Sequence, residues 1–163
     1  MEPSLAPGAV ARARGEGPLI WTRGGLIEIK ATREDTGGAY GLLEELLPVG
    51  FAPPLHVHQG EDEAFYVIEG ELRFACGETV YRASSGAFVF LPRGVAHTFR
   101  VDGDAPARLL NLMSPGGFEH MFVEDGEPAG AYALPPPSPA DPARLAALVT
   151  KYRCTIIGPP LAP

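Results

Sequence analysis

Cysteine, long apolar runs and clustered positive charge are all scarce in this sequence. Its only cysteines are Cys76 and Cys154, in unrelated contexts and without a CxxC pair, so two free thiols in a reducing cytoplasm are expected rather than a disulfide framework. No apolar run approaches the roughly 20 residues that a membrane helix needs. Arg12 and Arg14 have no apolar run behind them, so no signal peptide is predicted. With a net charge of −7 and no Lys/Arg cluster, nucleic acid is not an expected partner.

Glycine and proline, in contrast, are abundant. The chain of 163 residues contains 20 Gly and 18 Pro, a composition that favours many turns and short strands over long helices. Its length suits one domain, and its hydrophobic fraction of 45% is high enough for a buried core.

Three regions differ in pattern. Residues 1–17 lack hydrophobic periodicity and are predicted to form a flexible tail or an arm that orders on another subunit. Residues 18–113 have the pattern of a β-barrel or β-sandwich. Residues 114–163 are predicted to be a C-terminal extension with short helices and a proline-rich linker.

The barrel region begins with a predicted hairpin. The segments LIWTR and LIEIKAT flank Gly24 and Gly25, which are expected to form the turn. Residues 39–49 are ambiguous, because their leucines fit a helical stripe as well as a strand. Glycines before this segment and Pro48 after it keep it short, and its neighbours favour a strand.

More short strands joined by tight turns follow as far as Met113. Gly77-Glu78 is suited to a type II′ hairpin turn. Many of the segments are apolar on both faces, so one face can line a lumen while the other packs on a second sheet or another subunit. A homodimer is therefore expected. The predicted strands cover residues 63–69, 71–76, 79–83, 87–92, 95–101 and 109–113.

The C-terminal extension no longer shows the alternating pattern of short strands. FEHMFVE fits a short helix, and residues 125–140 read as a linker rich in proline, glycine and alanine. Asp141 is a predicted N-cap with Pro142 at the first helical position. The segment CTII is an expected edge strand that ends at Gly158.

Potential metal ligands are concentrated in two stretches of the barrel region. His56 and His58 are two residues apart, so on a strand they point to the same face. Glu63 belongs to the same first stretch, residues 50–70, and lies close enough to join them across a short loop. His97 belongs to the second stretch, residues 86–101. Imidazole nitrogen and carboxylate oxygen suit borderline divalent metals, and four such ligands leave coordination positions for water or substrate. These four residues are predicted to bind one metal ion inside the barrel.

The first stretch resembles the first motif of the cupin superfamily. That motif runs glycine, five residues, His-x-His, three or four residues, glutamate, six residues, glycine. Gly50, His56, His58, Glu63 and Gly70 meet every spacing.

The second stretch resembles the second cupin motif, which runs glycine, five residues, Pro-x-Gly, two residues, histidine, three residues, asparagine. Gly86, Pro92, Gly94 and His97 match, but Val101 stands where asparagine is usual. That position is not a metal ligand in the family, so the departure affects a local hydrogen bond rather than the metal site. The end of the chain looks like that of small quercetin-dioxygenase-like cupins.

The resemblance implies an all-β fold, the double-stranded β-helix or jelly-roll barrel, with one divalent ion (Fe, Ni, Mn, Co or Zn) as cofactor. It also implies a metal-dependent dioxygenase for a small aromatic or enolic substrate, in which Glu63 is both a ligand and the catalytic acceptor of the substrate's proton. Two alternatives stay open. One is an isomerase, decarboxylase or lyase that uses no oxygen, and the other is a binding or sensing module without catalysis.

Other residues have less specific interpretations. Glu61 and Asp62 adjoin Glu63 and are alternative carboxylate ligands, although only Glu63 fits the spacing. His120 is expected on the surface of a short helix, and Cys76 is interpreted as a filler beside a turn. Apolar side chains expected in the core or lining the lumen are Phe65, Val67, Phe74, Phe88, Phe90 and Phe99.

Overall fold

A computed structural model describes residues 8–163 of the chain. Strands dominate it, and two short helices lie near the C-terminal end. The strands are β1 (Leu19–Thr22), β2 (Gly25–Ala31), β3 (Gly41–Leu47), β4 (Pro54–His58), β5 (Asp62–Glu69), β6 (Glu71–Cys76), β7 (Thr79–Ser84), β8 (Phe88–Leu91), β9 (His97–Asp102), β10 (Ala107–Ser114), β11 (Glu127–Pro128) and β12 (Cys154–Pro160); the helices are α1 (Glu119–Asp125) and α2 (Pro142–Lys151).

The strands form two antiparallel sheets that pack as a jelly-roll β-sandwich. The larger sheet has the strand order β11-β1-β2-β3-β10-β5-β8, and the smaller has the order β12-β4-β9-β6-β7. Neighbours in each sheet are mostly distant in sequence. Short helices complete the fold, and the predicted all-β class is confirmed.

The first hairpin forms as predicted, but its turn is one residue earlier than expected. Thr22 pairs with Gly25, so Arg23 and Gly24 occupy the turn instead of Gly24 and Gly25. Both turn residues have positive φ, 50° and 84°, the combination of a type I′ turn, whose twist matches that of the flanking strands. This register places the side chain of Arg23 at the tip of the hairpin.

The ambiguous leucine-rich segment is a strand, as predicted. β3 pairs with β2 on one side and β10 on the other. Its residues alternate, so Leu43, Glu45 and Leu47 point into the sandwich, and all three are buried.

Two apolar clusters fill the sandwich and leave a polar gap between them. The first contains Phe65, Phe74 and Phe99, whose ring centroids lie 5.3 to 5.4 Å apart. The second contains Leu43 and Met113 together with side chains from α1 and α2. The helices therefore close one end of the sandwich.

The C-terminal extension is more regular than expected. Asp141 caps α2 by accepting a hydrogen bond from the backbone N–H of Arg144, as predicted. The predicted linker contains β11, which pairs with β1, and β12 continues through Pro160 instead of ending at Gly158. β11 and the end of β12 form because their backbones pair with β1 and β4 at the edges of the two sheets. The sequence does not reveal these pairings, because they require no alternating hydrophobic pattern. Within residues 8–163, no helix is long and apolar enough to cross a membrane.

The chain ahead of β1 lies along β2. The backbone N–H groups of Gly15 and Gly17 both donate to Glu28 Oε1 at 3.0 Å, and Arg12 Nη1 donates to the carbonyl of Lys30. The part of the predicted tail that falls on residues 1–7 lies outside the described residues.

Two of the predicted core aromatics are on the surface instead. Phe88 and Phe90 are 67% and 54% exposed, and the prediction for them is wrong. β8 is an edge strand whose alternation turns Val89 and Leu91 inward, so the two rings face outward. Phe65, Val67, Phe74 and Phe99 are buried as predicted.

Candidate metal centre

The four predicted ligands come from both sheets and meet between them. His56 and His58 lie on β4 and His97 on β9, directly opposite His56. Glu63 lies on β5 of the larger sheet, paired with Met113 and Leu91. The centre therefore depends on how the two sheets face each other.

One ligand atom from each of the four side chains lies within 4.8 Å of the others. Glu63 Oε2 is 3.0 Å from His97 Nε2 and 3.6 Å from His58 Nε2. An ion with bonds of about 2.1 Å spans about 4 Å between opposite ligands, so small shifts suffice to bind one ion. His58, Glu63 and His97 are buried and His56 is half-buried, which leaves access from one side only.

Each imidazole has a hydrogen-bond partner at Nδ1. His56 Nδ1 lies 2.7 Å from the carbonyl of Pro54, and His97 Nδ1 lies 3.0 Å from the carbonyl of Val95. His58 Nδ1 lies 2.5 Å from Glu61 Oε1. When a neutral imidazole donates a hydrogen bond from Nδ1–H to such a carbonyl or carboxylate, its lone pair is on Nε2, which is the tautomer a metal ligand needs.

The ionisable groups of the centre have pKa values that are shifted in different directions. Burial lowers the pKa of His56 to about 4. Burial opposes charge on His58 as well, but the hydrogen bond to Glu61 and the charges of Glu63 and Glu61 raise the pKa of His58 overall. For Glu63, burial is outweighed by the hydrogen bond from His97 and the nearby imidazoles, so its pKa falls to about 2. Glu63 is therefore held as a carboxylate, ready to bind a cation.

A cavity of about 40 Å³, open to solvent, reaches the ligands. Its walls are half polar and half apolar, and the polar lining residues are Thr22, Arg23, Glu45, His56 and Glu63. The apolar lining residues are Ile27, Leu47, Phe51, Pro53 and Phe99.

A second carboxylate lies beside the ligands. Asn111 Nδ2 donates to Glu63 Oε1 and to Glu45 Oε1, both at 2.9 Å. Burial is the main reason that the pKa of Glu45 rises to about 7, despite the hydrogen bond from Asn111. Asn111 thus fixes the rotamer of Glu63 and connects it to a carboxyl group that exchanges its proton near neutral pH.

Two motif glycines hold the geometry. Gly94, with φ of 78°, donates its backbone N–H to the carbonyl of His58 at 2.8 Å, which ties the second motif to the first. At Gly70, with φ of 100°, an added Cβ would lie 2.8 Å from the Cα of Ala107. Val101, where the family has asparagine, is fully buried in the first apolar cluster, and its backbone pairs with Gly50 and Phe51.

The neighbouring candidates have other roles. Glu61 orients His58, and Asp62 pairs with Arg93 at 2.9 Å, so of the three carboxylates it is Glu63 that lies with the imidazoles. His120 is partly exposed on α1 and pairs with Glu34, as predicted. With Glu34 and Glu119 it forms another group that could hold an ion, but Glu119 is already used by the backbone N–H groups of Arg33 and Gly117.

Sequence reasoning missed Glu45, Asn111 and Arg23, and it considered Glu61 only as an alternative ligand and not as the partner of His58. Strand alternation gave a usable signal for Glu45, which shares a face with two buried leucines. No local pattern could place Asn111 or Arg23, because both reach the centre through pairing between distant strands.

The donor set fits one divalent ion. Three imidazoles with Nε2 directed inward and one ionised carboxylate are the ligands that Fe, Ni, Mn, Co and Zn accept. His56, His58, Glu63 and His97 could therefore bind a metal.

Comparison with known proteins agrees with this geometry. Residues 42–113 match the family model described as a cupin domain, a range that contains all four candidate ligands. The chain is similar to the quercetin 2,3-dioxygenase of Bacillus subtilis, with 26% identity over 121 residues that make up 74% of this chain and 36% of the relative. It is 31% identical over 106 residues to the quercetin 2,3-dioxygenase of Aspergillus japonicus, covering 60% of this chain and 29% of the relative.

The chain thus spans about a third of the length of these dioxygenases. Among solved structures, a predicted oxalate decarboxylase from Thermotoga maritima superposes with a TM-score of 0.56 at 25% identity. The match covers 66% of this chain and 99% of that one.

Proposed function

We propose that this chain, in which residues 42–113 match a cupin domain, is a metal-dependent dioxygenase of the quercetinase-like type, acting on a small aromatic or enolic substrate. The observation that carries the proposal is the convergence of three imidazoles and one ionised carboxylate beside a cavity that also has an apolar wall. Similarity to two quercetin 2,3-dioxygenases supports it.

The protein's own side chains have separate tasks in this proposal. His56, His58, His97 and Glu63 would hold one divalent ion, which supplies Lewis acidity toward a substrate oxygen. The walls of Phe51, Phe99 and their neighbours exclude water from a flat substrate.

Proton transfer from the substrate is the catalytic role of Glu63 in this proposal. Its low pKa makes it a weak base on its own, and a base works best near the operating pH. Asn111 donates hydrogen bonds to both Glu63 and Glu45, so it holds Glu45, whose pKa is about 7, beside Glu63. In this step Glu63 accepts the proton of the substrate hydroxyl and becomes neutral, and the substrate is left as the anion.

The test is oxygen consumption by protein loaded separately with each of the five metals. A flavonol and a panel of enolic substrates are added under air, and uptake is followed with an oxygen electrode. We expect uptake with at least one metal, loss of bound metal and of uptake in His97→Ala, and neither loss in the matched control His120→Ala. No uptake with any metal across the whole panel would reject the dioxygenase.

A decarboxylase that uses no oxygen is the second candidate. It is supported by the similarity to a predicted oxalate decarboxylase and by an arginine on the cavity wall that could hold an acid. Release of carbon dioxide from a small keto- or hydroxy-acid under strict anaerobiosis would favour this candidate over the first.

We also propose that the protein acts in the cytoplasm as a homodimer. Both cysteines are free thiols, consistent with a reducing compartment. The dimer is supported by an apolar patch on the outer side of the larger sheet, which we call the outer face and define by Tyr66, Phe88, Phe90, Leu110 and Leu112. Tyr66 pairs with Phe88 and Leu110 in neighbouring strands, so these side chains lie on one side. A second copy would cover them and the unpaired edge of β8.

A further inference from the structure

Arg23 lies at the tip of the β1–β2 hairpin, where the chain reaches the mouth of the cavity. Its side chain lines the cavity that contains His56 and Glu63, and it also lines the adjoining recess beneath α2. Among the lining residues of that cavity, Arg23 is the only permanently positive side chain. The hairpin turn thus brings a guanidinium group to the same space as the candidate ligands.

The guanidinium has unused hydrogen-bonding capacity. Arginine carries five N–H donors. Within residues 8–163, Nε of Arg23 is inaccessible to solvent and has no hydrogen-bond partner, while the side chain as a whole is 24% exposed. A buried donor without a partner costs free energy, so this group is prepared to receive an acceptor that enters the cavity.

The nearest carboxylate of the protein, Asp125, does not accept a hydrogen bond from Arg23. Asp125 Oδ2 is 3.6 Å from Arg23 Nε, too far for a hydrogen bond. Asp125 is already bound by Thr22 Oγ1 at 2.6 Å and by Arg144 Nη1 at 3.2 Å. The guanidinium also lies over the ring of Phe122 at 5.0 Å. These contacts fix the guanidinium in position and leave its donors available.

A carboxylate is the ligand that this arrangement suits best. Guanidinium and carboxylate groups match in planarity and form paired hydrogen bonds. The carboxyl groups that line the cavity, Glu45 and Glu63, repel an anion when they are ionised, so Arg23 decides where on the wall an anion can bind. His56, itself one of the four candidate ligands, lines both spaces together with Arg23.

We propose that Arg23 binds a carboxylate of the substrate at the cavity mouth, while an oxygen of the same molecule faces the candidate metal centre. The substrate is then a small aromatic or enolic acid rather than a neutral molecule. This inference rests on the proposed function of the same site, and it narrows the substrate class.

The test measures binding without turnover. Metal-loaded protein is titrated under anaerobic conditions with 2-hydroxybenzoate and with its neutral counterpart 2-hydroxybenzamide, by isothermal titration calorimetry. We expect the wild-type protein to bind the acid at least about tenfold more tightly than the amide, as a charge-assisted pair implies. Arg23→Gln should weaken acid binding roughly ten- to a hundredfold and leave amide binding unchanged.

Two further variants make the result decisive. Arg33→Gln removes an arginine that does not line the cavity and should bind the acid like the wild-type protein. Arg23→Lys keeps the charge but loses the paired geometry, so its acid affinity should fall between those of the wild-type protein and Arg23→Gln; it also serves if Arg23→Gln does not fold. Equal affinity for acid and amide in the wild-type protein, no acid binding at all, or unchanged acid binding in Arg23→Gln would overturn the proposal.

The outcome is separable from that of the proposed function. Acid binding that depends on Arg23 without oxygen uptake would reject only the dioxygenase. Oxygen uptake from neutral enols that Arg23→Gln leaves unchanged would reject only the role of Arg23.

Discussion

Single side chains behind the ligands set the chemistry of the candidate metal centre. Two backbone carbonyls and Glu61 fix the Nδ1 atoms, so all three imidazoles present Nε2. Asn111 does the same for Glu63 by donating to Oε1, which leaves Oε2 toward the imidazoles. Such supporting groups commonly change metal affinity ten- to a hundredfold when removed, roughly as much as some ligands do.

Glu45 offers a residue-scale prediction on pH and stability. Its pKa rises from 4.5 to about 7 on folding, so between these values the folded state holds a proton that the unfolded state has lost. Stability from this group is therefore complete below pH 4.5 and decreases as the pH rises through 7, by at most about 3 kcal/mol. Glu45→Gln keeps an acceptor for Asn111 and removes the titration.

The free energy of unfolding of the metal-free protein, measured by urea denaturation at pH 5 and pH 8, checks this expectation. Relative to the wild-type protein, Glu45→Gln should gain about 1–3 kcal/mol between the two pH values. Glu78→Gln, at an exposed turn position, should gain nothing. A pH-independent difference between Glu45→Gln and the wild-type protein would contradict the raised pKa.

At the scale of elements, α2 acts as a cover for the second apolar cluster. Val149 is buried there with Cys154 of β12, and Leu145, Leu148 and Tyr152 pack against the same cluster. Cys154 pairs directly with His58 in the neighbouring strand. The helix therefore protects the strand that carries two of the candidate ligands.

Removing the helix cap should expose Cys154. Asp141→Ala deletes the acceptor for the Arg144 N–H, which is expected to cost about 1 kcal/mol of helix stability. Local opening should then become roughly fivefold more frequent, and Cys154 should react with a thiol reagent faster by a similar factor. Cys76, which is already partly exposed, is the internal reference.

Ser138→Ala, in the segment before the helix, is the matched control and should leave both thiol rates unchanged. If Asp141→Ala lowered the unfolding temperature but left the rate of Cys154 unchanged, α2 would not be its cover.

The whole molecule has one side that its own chain leaves uncovered. Toward β1–β3, the linker lies over the larger sheet, where Tyr132 donates to Glu44 Oε1. Toward β5 and β8, the outer face is left open, with Phe88, Phe90 and Tyr66 at 67%, 54% and 46% exposure. An exposed apolar patch of this kind marks an interaction surface in a stable protein.

Self-association through the outer face is therefore expected. Light scattering coupled to size-exclusion chromatography should give a mass near twice 17.3 kDa for the wild-type protein. The double variant Phe88→Glu and Phe90→Glu should give the monomer, because two desolvated charges oppose pairing. Ile157→Glu, at an exposed position of the smaller sheet, should stay a dimer. A monomeric wild-type protein would reject the proposed dimer.

The sequence by itself determined the strands, the capped helix α2 and the identity of the four clustered side chains. Those features follow from local rules: alternation, turn chemistry, an N-cap and fixed spacing from His56 to Glu63. Local rules also placed residues 39–49 in a strand, which pairing on both sides stabilises.

Only the tertiary structure decided what surrounds the centre and which faces are covered. Glu45, Asn111 and Arg23 are 18, 48 and 40 residues from Glu63 in the chain, and strand order alone brings them to one cavity. Phe88 and Phe90 read like core residues, yet they are exposed because β8 is the last strand of its sheet. Periodicity records which side chains share a face, whereas burial depends on the sheet or helix that packs against that face.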